Sequence, residues 1–235
     1  MTVIIDNRMP TASLETLQKL GFEVIPMPKA DYLSKPVSAH PDMLFFMGFG
    51  KLFCHSRYFE KNAALIERIC QSGNLSLVLS DEPTDKKYPR DVLFNCVILG
   101  NNLLCNTKSV SGLILDEAIN SGMNIIHTNQ GYTKCSVCKV SENAVITSDI
   151  SIARVCTENG IDALTIDEGD ILLNGYDLGF IGGASGCDGK NVYFCGDISL
   201  HPDGEKIIEF CNSHGKGVIS LSNEGLYDVG SILFI

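Results

Sequence analysis

Apolar and polar positions along this chain fall into two repeating rhythms. Five segments carry apolar residues at helical spacing, then a glycine, then a short apolar run: 13–25, 61–79, 111–128, 150–166 and 204–221. Leu14, Leu17 and Leu20 in the first segment, and Ile207, Ile208 and Cys211 in the last, mark the buried face of a helix. The glycines are Gly21, Gly73, Gly122, Gly160 and Gly215. Each stands where its helix should end in left-handed backbone, which glycine adopts without a Cβ clash. Before four of the helices lies an apolar hairpin with Gly, Asn or Asp in its turn: 43–54, 92–105, 136–147 and 179–195. Helix-start signals follow at Ser56, Thr107, Ser148-Asp149 and Asp197.

The first helix has only one strand before it, VIID (3–6), and a matching apolar strand, GSILFI (230–235), closes the chain. Pairing the two completes a fifth unit, and the five units average 47 residues over the 235 of the chain. The pattern predicts one α/β domain over 1–235, a five-bladed ββαβ propeller closed by its terminal strands. The first unit is split between 1–29 and 226–235. An ordinary doubly wound sheet shares the helix–glycine–strand rhythm but gives no reason for a hairpin before each helix.

Two further echoes support this register. SDEP (80–83), TNQG (128–131), IDEG (166–169) and SNEG (222–225) follow the third strand of four units. PRDVLF (89–94), YTKCSV (132–137), YDLGFI (176–181) and YDVGSI (227–232) come next. Residues at one step of units related by a pseudo-fivefold rotation lie at similar radius and height. Glu82, Glu168 and Glu224, with Gln130, are therefore expected near the axis, as are Asp42, Asp91 and Lys134. Carboxylates clustered there would call for a cation, since like charges raise each other's pKa and carboxylates grip a guanidinium in bidentate fashion. The competing reading has each Glu tying down its own turn, and Asp91 forming a structural ion pair with Lys134.

Composition narrows the classes. Lys and Arg number 18 against 28 Asp and Glu, a net charge of −10, which disfavours a nucleic-acid partner. No apolar run reaches the roughly 18 residues of a membrane span. The start, MTVIIDNRMP, does not read as a secretory signal, so a cytoplasmic protein with its 10 cysteines reduced is expected. Cys135 and Cys138 form CSVC within a segment that reads as a strand. Alternation would put them on opposite faces, unlike a redox pair at a helix start. No partner motif completes a zinc site, and His40, His55, His127, His201 and His214 show no ligand spacing, so neither metal nor cofactor is expected. GFIGGASG (179–186) reads as a wide hairpin rather than a phosphate loop. A single thiol facing the cavity stays open: Cys135 beside Lys134 could have a lowered pKa and act as a nucleophile.

With the repeat in place, the chain resembles the pentein fold of guanidine-modifying enzymes, which includes arginine deiminase, dimethylarginine dimethylaminohydrolase and amidinotransferases. DEGD (167–170) is similar to the acidic turn of that family, PRD (89–91) to its Arg-Asp strand start, and GSILFI to its closing strand. The resemblance implies a central cavity for a small cationic or zwitterionic guanidino or amino compound. It also implies a nucleophilic Cys at the closing strand and a His opening another strand. Residues 228–234 contain no Cys, and Lys134 or Cys135 stands where the His is expected. The expectation is a binding protein without the usual Cys/His pair. The alternatives are an interaction module on the same fold, like the family's ribosome-binding member, which the acidic charge disfavours, or a thiol enzyme using Cys135.

Overall fold

A computed structural model describes residues 1–235. It contains five three-stranded sheets of one recurring order and a separate two-stranded pair. The first unit joins both ends of the chain: β1 (Thr2–Asp6), α1 (Thr11–Lys19) and β2 (Glu23–Met27), with β17 (Leu233–Phe234) antiparallel to β1 and β2 parallel to it. The second has a helical turn α2 (Pro41–Leu44), β3 (Phe45–Gly48), β4 (Lys51–His55), α3 (Ser56–Gly73) and β5 (Ser76–Ser80). The third has β6 (Val97–Leu99), β7 (Asn102–Cys105), α4 (Gly112–Asn120) and β8 (Asn124–His127). The fourth opens on a helical turn α5 (Thr133–Ser136), then β9 (Cys138–Ser141), β10 (Ala144–Thr147), α6 (Ile150–Glu158) and β11 (Asp162–Thr165). After β12 (Ile171–Leu172) the fifth has β13 (Ser185–Cys187), β14 (Asn191–Phe194), α7 (Gly204–Ser213) and β15 (Gly217–Ser220). β16 (Leu226–Tyr227) pairs in parallel with β12. In the other four units an antiparallel hairpin leads through a helix to a parallel third strand.

No unit owns a core. Successive side chains of a strand point to opposite faces, and here both faces of the middle strand are buried. Ile4 of β1 packs with Leu44, Phe45 and Leu52 of the second unit. Its neighbours Val3 and Ile5 pack with Tyr193 and Cys195 beside the fifth. Phe46 and Phe53 join Leu103 and Ile114. Leu104 joins Val145 and Ile152, and Ile146 joins Phe194 and Ile207. The five apolar clusters thus sit between consecutive units, the last of them between the fifth unit and the first. This explains why the strands read as continuous apolar runs rather than half-polar alternations.

Four of the five expected helix-ending glycines, Gly21, Gly122, Gly160 and Gly215, take φ between 67° and 86°. The fifth differs: α3 runs through Gly73, and Asn74 at φ 50° makes the left-handed turn. Thr107 does not start a helix either. α4 begins at Gly112 after Ser111, and the Thr107 hydroxyl pairs instead with His127 Nδ1 at 2.9 Å. Asp149 caps α6 as expected, accepting from the backbone of Ser151 and Ile152. No helix is long and apolar enough to cross a membrane.

Candidate functional site

In each unit the chain enters its first strand through a tight polar turn, and these turns meet. Asp42 lies on α2, Asn95 just before β6, Lys134 and Cys135 on α5, Gly182 and Gly183 before β13, and Asp228 to Ser231 before β17. The segment 132–140, expected as one strand, begins as a helical turn, so Lys134 and Cys135 do not follow strand alternation. Cys135 and Cys138 still part company: they sit in two different core clusters.

Asn95 is the hub. Its Oδ1 accepts from the backbone N–H of Lys134 at 2.7 Å and of Cys135 at 3.2 Å. Its Nδ2 lies 3.2 Å from the Asp42 carbonyl and 3.0 Å from Cys135 Sγ. Lys134 Nζ donates to Ser231 Oγ at 2.8 Å, and that hydroxyl lies 2.7 Å from Asp42 Oδ2. Ser231 therefore bridges an ammonium and a carboxylate that make no direct ion pair. Asp42 is 2% exposed, and its other oxygen, Oδ1, has no hydrogen-bond partner.

The glycines of GFIGGASG are where this assembly closes. Gly183 N–H donates to the Cys135 carbonyl at 2.9 Å, and the Gly183 carbonyl accepts from Ser231 N–H at 2.8 Å. A Cβ on Gly182 would overlap the carbonyls of α5, and one on Gly183 would overlap the Asp228 carboxylate. The run serves close backbone approach, with its hairpin proper confined to β13 and β14.

On the other side of the 228–231 segment lies a cavity of about 200 Å³ bordered by Asp6, Arg8, His40, Asn174, Tyr227 and Asp228 among others. Arg8 grips Asp6, with Nε at 2.9 Å and Nη2 at 2.5 Å. The buried His40 ring stands between two carboxylates, Nε2 3.7 Å from Asp6 and Nδ1 3.8 Å from Asp228. Asp228 accepts from Phe180 N–H and Gly230 N–H, both at 2.9 Å. Burial pushes its carboxyl above the ordinary carboxylate range; the charge of Asp42 adds to this, and His40 and the two N–H donors oppose it.

The expected site residues divide. Asp42 and Lys134 belong to the buried assembly. Asp91 is buried, but it accepts from Tyr132 Oη at 2.6 Å and makes no ion pair with Lys134, and its Oδ1 is also unpartnered. Desolvation pushes the Asp91 carboxyl up despite the Tyr132 bond. Glu82 ties down its own turn through Ser80 and reaches the start of α4, where it accepts from Ser111 Oγ and, at 2.8 Å, from Gly112 N–H. Glu168 and Glu224 are exposed on their turns, and no hydrogen bond joins their carboxylates to the assembly. Convergence of all three glutamates does not occur, because equivalent turns meet different neighbours. Sequence reasoning passed over Asn95, Ser231, Asp228, His40, Asp6 and Arg8. Asn95 and Asp6 carried a signal, a polar residue inside or ending an apolar run, and Asp228 and Ser231 lie in the YDVGSI echo; His40 and Arg8 carried none.

Cys135 runs opposite to the lowered pKa considered for it. Burial, then the charges of Asp42 and Asp228, push the thiol well up, and Asn95 and Lys134 offset only part. We expect iodoacetamide to label half-buried Cys70 and Cys187 in the folded protein first. Cys135 should stay unlabelled until urea unfolds the chain, as peptide mass spectrometry would read. Fast labelling of Cys135 would overturn this.

Solved structures similar to this chain include a dimethylaminohydrolase, an amidinotransferase and a deiminase. A dimethylarginine dimethylaminohydrolase from Pseudomonas aeruginosa, complexed with citrulline, is 8% identical with a TM-score of 0.59, covering 94% of this chain and 91% of that one. An amidinotransferase of the saxitoxin biosynthetic pathway from Microseira wollei is 12% identical with a TM-score of 0.59, covering 94% and 88%. Agmatine deiminase from C. jejuni is 8% identical with a TM-score of 0.55, covering 94% and 87%. At these identities the likeness establishes a shared pentein-type α/β fold. No curated protein matches the sequence. A family model does match, over residues 4–233, nearly the whole repeat, and by that match the chain belongs to a family of unknown function, DUF6873.

Proposed function

We propose that this chain closes its five units as a propeller and binds a small guanidino or amino compound in an acidic cavity, without the Cys/His chemistry of enzymes sharing the fold. The observation that carries the reading is the pair of almost fully buried carboxylates, Asp6 and Asp228, bordering one cavity of about 200 Å³. Buried carboxylates are costly unless paired. Asp6 is met by Arg8, but Asp228 has only backbone donors and a histidine beyond hydrogen-bond distance. A guanidinium or ammonium would supply the missing charge, and the half-exposed Arg8 suits a carboxylate on the same ligand. The fold of the guanidine-modifying enzymes adds support for this ligand class. Against their chemistry stands Gly230, at the start of the closing strand: His40 fills the space that any side chain there would need.

The test is calorimetry with agmatine and arginine at several pH values. Burial raises the pKa of the Asp228 carboxyl, whereas a cationic ligand favours its ionised form. Binding should therefore release protons and strengthen as pH rises through the Asp228 titration. Asp228→Asn should weaken binding about tenfold or more, the scale of one lost charge-assisted contact. No citrulline or urea should form from arginine in these samples. Absence of binding by either ligand, or binding without proton release, would refute the site. Turnover would refute the non-catalytic part.

A further inference from the structure

A second cavity of about 170 Å³ lies among the first strands of the second, third and fourth units and the closing strand, separate from the acidic one. Its walls are apolar: Phe45, Phe46, Phe94 and Ile98 among others. Its mouth is formed by residues only partly buried, including Ile98 and Leu233. Three charged groups border it, Asp42, Lys134 and Lys139. Of these, Asp42 and Lys134 are incompletely used. Asp42 Oδ1 is buried without a partner, and Lys134 Nζ has one acceptor, Ser231 Oγ, for three N–H donors. Lys139, by contrast, is engaged by Glu142 at 2.7 Å and by the Ile98 carbonyl at 3.0 Å.

The two open groups are held in fixed relation. Both contact the same Ser231 oxygen, at 2.7 and 2.8 Å, and they lie too far apart for a direct ion pair. A ligand meeting both needs a donor for Asp42 Oδ1 and, within a few ångströms, an acceptor for Lys134. The rest of it must be apolar and small enough for the cavity. We infer that this cavity binds a hydrophobic α-amino acid: its ammonium on Asp42, its carboxylate on Lys134, and its side chain among Phe45, Phe46, Phe94 and Ile98. A purely aliphatic ligand would leave Asp42 Oδ1 unpaired, which costs free energy in a buried setting. A guanidino compound would place its polar end against aromatic walls. The inference concerns a different cavity and ligand class from the acidic site and does not depend on that site being occupied.

The experiment is thermal shift and calorimetry on the full chain with L-leucine, L-methionine and L-phenylalanine. The comparison probes are 4-methylpentanoate, which lacks the amine, and isoamylamine, which lacks the carboxylate. At least one amino acid should raise the melting temperature in a concentration-dependent way, and both leucine analogues should bind about tenfold more weakly or worse, as expected for losing one charged contact. Lys134→Met should weaken leucine binding by a similar factor. Ile98→Trp, at the partly exposed mouth, should block it while agmatine binding at the acidic cavity continues. Circular dichroism of each variant checks that it is folded. No stabilisation by any of the three amino acids, or isoamylamine binding as well as leucine, would overturn the inference. So would leucine binding that survives Ile98→Trp in a folded variant.

Discussion

Removing residues 230–235 should leave a chain that no longer unfolds cooperatively. The deleted strand supplies one edge of the first sheet, where Val3 pairs with Phe234 and Ile4 with Leu233. Thr2 and Ile235 exchange backbone hydrogen bonds in both directions at 2.9 Å. The segment also joins three units at once. Asp42 N–H donates to the Gly230 carbonyl, Ser231 N–H to Gly183, and Ile232 N–H to Ser185. Ile232, 1% exposed, and Phe234 belong to the cluster between the fifth and first units. Full burial of one such side chain is worth about 1.5–3 kcal/mol. Buried groups left unpaired cost about 1–3 kcal/mol each. Together these losses rival the whole stability of about 5–15 kcal/mol of a typical domain. Deletion would also bare β1 as an unpaired edge, inviting aggregation. Urea titration followed by circular dichroism and size-exclusion chromatography reads the outcome. A monomer with an unfolding midpoint near that of the intact chain would show that the termini do not hold the fold together.

Gly230→Ala should be among the most damaging single substitutions available. Gly230 has φ 66°, and the added methyl would overlap His40 at Cα, Cβ and Cγ. Left-handed backbone alone costs a non-glycine residue about 1–2 kcal/mol. Overpacking against a residue held on both sides adds about 1–3 kcal/mol. His40 cannot step aside freely, since Asp6 and Asp228 flank its ring and the chain turns into α2 just beyond it. The expected loss is therefore about 3 kcal/mol or more. His40→Gly in the same chain should recover the steric part but not the backbone part. The double variant should then be less destabilised than the two single changes added together, a coupling visible in a double-mutant cycle. Strict additivity would mean that His40 is not what excludes a side chain at 230.

The architecture was legible because its determinants are local or periodic. Glycines 21, 122, 160 and 215 end their helices in the conformation that their backbone requires, whatever surrounds them. The strands read as unbroken apolar runs because both faces of each middle strand are buried, Ile4 toward one neighbour and Val3 and Ile5 toward the other. An unpaired strand at each end of the chain announced their pairing. Where several residues can do the same local job, position slipped by one or more residues. Asn74 replaced Gly73, and Ser111 rather than Thr107 stood before the third unit's helix.

The site followed a different logic. Repeat position placed Glu82, Glu168 and Glu224 at equivalent steps, but a side chain's fate depends on what the next unit puts opposite it. Glu82 finds the start of α4 and is used there, while the other two face solvent. Lys134 was recognisable as an odd cation at an acidic step; that its partner is the Ser231 hydroxyl, 97 positions away, was not. His40, Asp6 and Asp228 come from the second unit and both ends of the chain, and nothing in their local sequence marks them as neighbours. Strand rhythm, turns and the pairing of the ends follow from short-range sterics and burial of apolar surface, which a sequence displays directly. The two cavities and the charges that border them exist only once the five units pack against one another, because each takes its groups from turns that are distant along the chain and adjacent only in the fold.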